Sequence, residues 1–157
     1  MIPAAETLRA AVDLPPVAGS AAAARRLVGQ LLDAWAAEGF RDDATLLVSE
    51  LVTNVVRHVT GEVAMRVEVA LTAPAPTRSA LTFPARALPA LTGPGLQVAV
   101  VDSSASPPML RTPGPHGGHG MGLVAAVADR WGSEDHGGGK RVWFELAPRG
   151  RGRGSVA

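Results

Sequence analysis

The chain has 157 residues, 46% of them hydrophobic, which suits one domain burying roughly 70% of its extended surface and excludes general disorder. Fifteen basic residues balance 14 acidic ones, so charge gives no reason to expect a nucleic acid or an anionic membrane as partner. Cysteine is absent, which excludes disulfides, thiolate catalysis and Cys-ligated zinc.

The opening MIPAAETLRA has no basic start followed by an apolar run, so no secretory leader is expected. No apolar stretch approaches the ~18 residues of a membrane span, and the cytoplasm is the expected compartment. Glu6 to Leu14 alternates apolar and polar or small residues and predicts a first strand, ended by Pro15-Pro16. A helix is predicted from Val17 or Ser20 to Glu38, with Leu27, Leu31 and Trp35 as its apolar stripe and Gly39 as its C-cap. Asp42 or Asp43 opens a second helix, which runs to Val59. Its apolar face is Leu47, Val48, Leu51, Val52, Val55, Val56 and Val59. Glu62 to Leu71 is a strand by strict alternation, with Val63, Met65, Val67, Val69 and Leu71 on one face.

Residues 72–95 are Pro- and Ala-rich without a steady period and predict a long connection, with a short strand around 79–83 as its one candidate element. LQVAVV, 96–101, is a strand running into Asp102. Residues 103–122 are Gly- and Pro-rich loop, followed by a helix at Leu123–Asp129. A strand at Trp131–Glu134, a turn in DHGGGK and a closing strand at Arg141–Leu146 complete residues 1–148, a single domain. Residues 149–157, RGRGRGSVA, form a basic tail expected to be flexible. The order predicts a two-layer α/β sandwich: a mixed, mostly antiparallel sheet with helices on one face. Neither GxGxxG after the first strand nor GxxxxGK[ST] occurs, so a dinucleotide fingerprint and a P-loop are both absent.

Within SELVTNVVRH, Glu50, Asn54 and His58 recur every fourth residue on an otherwise apolar helix. Relative to Glu50, Asn54 lies at about 40°, His58 at about 80° and Arg57 near about −20°, one edge beside the apolar face. Spacing alone leaves two readings open, a solvated edge and the wall of a polar pocket. In the second, a carboxylate can serve as base and an amide oxygen can ligate a hard cation. Asp102 ends an apolar strand, where a buried acid is costly without a partner. GGHGMGL, 117–123, places glycines ahead of a helix, where backbone N–H groups can meet a phosphate.

In this order the motifs resemble those of the Bergerat-fold ATP-binding domains, the superfamily of histidine kinases and gyrase-type ATPases. SELVTNVVRH resembles the N box, VAVVDSSASPP the first glycine box, GHGMGLVAAVADRWG the second, and GGGKRVWFEL the last strands. The wording is most similar to the anti-sigma-factor serine/threonine kinase branch, found as stand-alone regulators in actinobacteria. The resemblance implies ATP and Mg²⁺ as cofactors. It implies Asn54 as the Mg²⁺ ligand, Glu50 as the catalytic base and Asp102 as acceptor for the adenine amino group. Gly118, Gly120 and Gly122 would hinge a lid (103–122) over the phosphates, with His119 and Leu123 in the same segment, and His58 would contact a phosphate or support the pocket. It further implies transfer of the γ-phosphoryl group to a Ser or Thr of an anti-anti-sigma-like protein, with a sigma factor and a homodimer as further assemblies.

Two positions depart from the pattern. Ser104 stands where a glycine is usual, and Met121 where an arginine is common; a thioether cannot grip phosphate as a guanidinium does. These departures favour a nucleotide-binding regulator without efficient catalysis as the alternative. A detached histidine kinase catalytic domain is the other, though no segment supplies long dimerisation helices with a phospho-accepting histidine. His116-x-x-His119 lacks a third ligand at fixed spacing, so zinc is not expected. Trp35, Trp131 and Trp143 are expected to pack against the core or sheet. Arg25 and Arg26 are a candidate partner surface.

Overall fold

The computed structural model of the protein describes residues 6–58, 63–73, 95–104 and 120–148. Among them run β1 (Glu6–Leu14), α1 (Ser20–Ala34), a short 3-10 turn (Glu38–Phe40), α2 (Arg41–His58), β2 (Met65–Ala73), β3 (Gly95–Asp102), α3 (Gly120–Val127), β4 (Arg130–His136) and β5 (Gly139–Leu146). The strands form one sheet in the order β1-β2-β3-β5-β4, and each pairing is antiparallel. The helices pack on one face, giving the two-layer sandwich the sequence predicts.

Alternation decides which strand residues meet the helices. Met65, Val67, Val69 and Leu71 of β2, Leu96, Val98 and Val100 of β3, and Val142, Phe144 and Leu146 of β5 share the core with α2. From α2 come Leu47, Val48, Leu51, Val52 and Val55, as its sequence pattern predicts, joined by Ala44, while Val56 is partly buried against the cluster and Val59 lies outside the described residues. The deepest row of α1 is offset by one from the predicted stripe. Ala24, Val28 and Leu32 are fully buried, whereas Leu31 and Trp35 are partly buried against the cluster and Leu27 is not part of it.

The end of α1 also corrects the sequence reading. The helix stops at Ala34, well before Glu38 and Gly39. Ala36 takes a left-handed φ of 52°. Its N–H donates to the Asp33 carbonyl at 3.2 Å, and the Ala37 N–H donates to the Leu32 carbonyl at 2.8 Å. This is a Schellman closure with alanine in the position glycine usually takes. Gly39 lies in the 3-10 turn that leads into α2. Arg41 then joins the two helices, donating to the Gly29 carbonyl at 3.1 Å and pairing with Asp33.

Other boundaries shift modestly. α2 begins at Arg41, with Asp42 and Asp43 in its first turn. β2 begins at Met65 and reaches Ala73, because β1 supplies a partner as far as Glu6. α3 begins at Gly120 and ends at Val127, earlier than predicted at both ends. The candidate strand around 79–83 and the basic tail lie outside the described residues. Among the described residues no helix is long and apolar enough to cross a membrane.

The opposite face of the sheet is not simply solvated. Arg141 is fully buried there and donates to Glu134 at 2.9 Å, Gln97 at 3.2 Å and Glu68 at 3.5 Å. Gln97 donates to Glu145 at 3.1 Å, and Arg130 pairs with Glu145 at 3.4 Å while lying over the Trp143 ring. This network crosses β2, β3, β5 and β4 and fixes their register from behind.

Candidate functional site

β3 carries an apolar run, Leu96 to Val101, and ends on an acid. Asp102 has the same parity as Val98 and Val100, so its side chain stands on the helix-facing side of the sheet. Its cross-strand neighbours are Met65 on β2 and Lys140 on β5. The last row of the helix-facing side therefore reads thioether, carboxylate, ammonium, and all three residues are buried.

Asp102 is only 2% exposed, and its two oxygens differ. Oδ1 accepts the Ser104 backbone N–H at 2.7 Å. Oδ2 has no hydrogen-bond partner among the described residues. The Lys140 Nζ lies 3.8 Å from Oδ2, an ion-pair distance too long for a hydrogen bond. Burial pushes the Asp102 carboxyl up from its ordinary value, against the lowering effects of the Ser104 N–H and Lys140. A buried acceptor left open in this way costs about 1–3 kcal/mol until a donor completes it.

The loop after Asp102 is held by its neighbours. The Ser103 N–H donates to the Ala64 carbonyl at 3.2 Å, and the Ala64 N–H donates to Ser103 Oγ at 3.1 Å. Gly139 closes the other side. A Cβ at Gly139 would stand 2.0 Å from the Asp102 carbonyl oxygen and 2.8 Å from the Ser103 Cα, so only glycine lets β5 begin beside Asp102. The turn before it uses the other two glycines. Gly137 and Gly138 have φ of 55° and 84°, the pair of positive angles a type I′ hairpin turn requires.

On α2, Glu50, Asn54 and His58 are half-buried along the edge of the core-facing surface, while Arg57 is exposed. Among the described residues no hydrogen bond or ion pair engages the Glu50 or Asn54 side chain. α2 packs on both β3 and α3, the elements that carry Asp102 and the Gly120–Leu123 turn. Gly120 and Gly122 fall in the first turn of α3, and Leu123 is partly buried against the core. Met121 is 3% exposed and belongs to the hydrophobic core. Gly118 and His119, like His116, lie outside the described residues. Among the described residues no three His, Asp or Glu side chains gather as a metal cage would. Mg²⁺ is commonly held by one or two side chains together with substrate phosphates, and a lone Asn54 oxygen suits that mode. Arg25 is tied to α2 by a 2.6 Å hydrogen bond to Ser49, and Arg26 is exposed.

Gly139 and Lys140 escaped the sequence reading, which took DHGGGK as turn and began the closing strand at Arg141. A signal existed: a two-residue hairpin turn accommodates two glycines at most, and this chain has three in a row. The third marks a close backbone approach.

Compared with protein-family models, residues 14–146 match the histidine kinase-like ATPase domain. No curated protein matches the chain.

Proposed function

The chain belongs to the histidine kinase-like ATPase domain family, and we propose that it is a regulatory module that binds ATP with Mg²⁺ and signals its nucleotide state to a protein partner. The observation that carries this reading is Asp102, a buried strand-end carboxylate with one oxygen lacking a hydrogen bond among the described residues. The adenine amino group supplies the missing donor. Asn54 would hold Mg²⁺ through its amide oxygen, and Mg²⁺ would neutralise phosphate charge. Gly118, His119, Gly120, Gly122 and Leu123 would border the phosphates, with His58 beside them.

This reading does not require Met121 to grip phosphate; the buried thioether anchors α3 to the core instead. The test is ATP affinity with Mg²⁺ and with EDTA. Mg²⁺ should strengthen binding in the native protein, and Asn54→Ala should abolish that increment while leaving metal-free binding intact. An unchanged Mg²⁺ effect in Asn54→Ala removes the metal assignment.

A second reading, phosphoryl transfer, is favoured by Glu50, a half-buried carboxylate one helical turn before Asn54 and without a partner among the described residues. A Ser or Thr hydroxyl of an anti-anti-sigma-like protein would attack the γ-phosphorus. The new P–O bond forms as the bond to the β,γ-bridging oxygen breaks, ADP leaves, and the hydroxyl proton passes to Glu50. Glu50→Gln should then retain ATP affinity and lose transfer to a substrate protein; retained transfer removes this role.

A further inference from the structure

We propose that the outer edge of β1 pairs with β1 of a second copy of this chain, antiparallel about a two-fold axis at Ala11, so that Arg9 of each copy faces Asp13 of the other. The inference is independent of the nucleotide reading and concerns a surface which that reading leaves unused.

β1 is an end strand of the sheet, bonded to β2 on one side. Half of its N–H and C=O groups therefore point outward, without a ladder partner among the described residues. Such edges are commonly blunted by proline, lysine, a bulge or shortness. β1 has none of these: its nine residues, ETLRAAVDL, pair with β2 without a break. The helical layer is also centred away from it, since α2 packs on β3 and β5 and α3 on β4. Leu8, Val12 and Leu14 are consequently only partly buried, whereas Val67 and Val69 of β2 are fully so. An apolar rim thus lies beside an open edge.

The charges of β1 select a second copy as the occupant. No ion pair engages Arg9 among the described residues. Asp13 pairs with Arg66 at 2.7 Å yet keeps a side-chain exposure of 73%, so its carboxylate can take a second cation. In an antiparallel pairing about Ala11, Arg9 faces Asp13, Ala10 faces Val12, Leu8 faces Leu14 and Ala11 faces itself. Arg9 and Asp13 share the face away from the helices, and the apolar residues share the other, so like surfaces meet on both sides. Centring the pair on Ala10 would set Arg9 against Ala11 and Asp13 against Thr7, and centring it on Arg9 would oppose two like charges. Pro15, which would face Thr7, ends the ladder because it has no N–H to give. Two five-stranded sheets join into one, with the helices of both copies on the same side.

The chain lacks cysteine, so single introduced cysteines report the contact without background. Ala11 is exposed, and Ala11→Cys places two thiols at the axis with Cα atoms about 4.5–5.5 Å apart, within disulfide reach. Under mild oxidation this full-length variant should form a covalent dimer of twice 16.1 kDa. Val17→Cys, also exposed but outside the ladder, should cross-link at least about ten-fold more slowly. By sedimentation equilibrium the native chain should dimerise with a Kd on the order of 10 µM, as suits a small interface. Arg9→Asp and Asp13→Arg each set like charges face to face and should each weaken association about ten-fold or more. A one-to-one mixture of the two should recover it, because an acid then faces an arginine at both positions. A native chain still monomeric well above that concentration overturns the proposal. So do equal cross-linking by the two cysteine variants, a dimer indifferent to Arg9→Asp, or a mixture of folded variants that stays monomeric. If Asp13→Arg fails to fold, the cysteine comparison and Arg9→Asp decide by themselves.

Discussion

Asp102 makes its own ionisation costly, which gives a prediction in pH. Burial raises its carboxyl above the ordinary 3.8, so the folded chain holds that proton more tightly than the unfolded chain. Below the ordinary value both states are protonated and there is no cost; as pH climbs through the folded-state value, stability is lost. Asp102→Asn removes this titration. The stability of the variant relative to the native protein should therefore rise from acid to neutral pH, as measured by denaturant unfolding at matched pH. A difference independent of pH would contradict the burial argument. Gly139 is the second residue-scale test. Gly139→Ala should cost about 3 kcal/mol, since neither the Asp102 carbonyl nor the Ser103 Cα can yield cheaply. Gly137→Asn, at a φ of 55° that asparagine tolerates, should cost less than about 0.5 kcal/mol by the same unfolding measurement.

At the scale of elements, the end of α1 shows where sequence signals mislead. Gly39 is the residue a reader chooses as C-cap, yet the closure forms at Ala36. Trp35 and Ala37 both pack against the core, and holding them there requires the turn at Ala36; packing overrides local preference. Ala36→Gly should stabilise the protein by about 0.5–1 kcal/mol by relieving the left-handed alanine. Gly39→Ala, with open space around its Cβ, should change stability by less than about 0.5 kcal/mol. A shift in thermal midpoint for Gly39→Ala but not Ala36→Gly would reverse this assignment. The strong alternation of β2 and the wide apolar face of α2 were legible because one buried side imposes a period. The polar network around Arg141 was not, because its members come from four strands and no local period connects them.

For the whole molecule, sequence and structure agree on a sheet covered by helices on one side, with an acid at the end of β3. The order of motifs was enough to suggest this family, because strand-end acid, helical amide and glycine segment each occupy a defined place in it. Less of the candidate site was legible. Asp102 and the α2 line could be read from residue type and spacing, whereas Lys140 joins the site only through sheet register, and the thioether of Met121 reveals its core role only once α3 is placed. The central claim is that the Asp102 row is a nucleotide pocket. Isothermal calorimetry of ATP with the native protein and with Asp102→Ala, both verified as folded by circular dichroism, tests it most directly. The account predicts saturable binding by the native protein, weakened about ten-fold or more in Asp102→Ala. A folded native protein that gives no saturable heat, or an Asp102→Ala variant that binds ATP as tightly as the native protein, would contradict it.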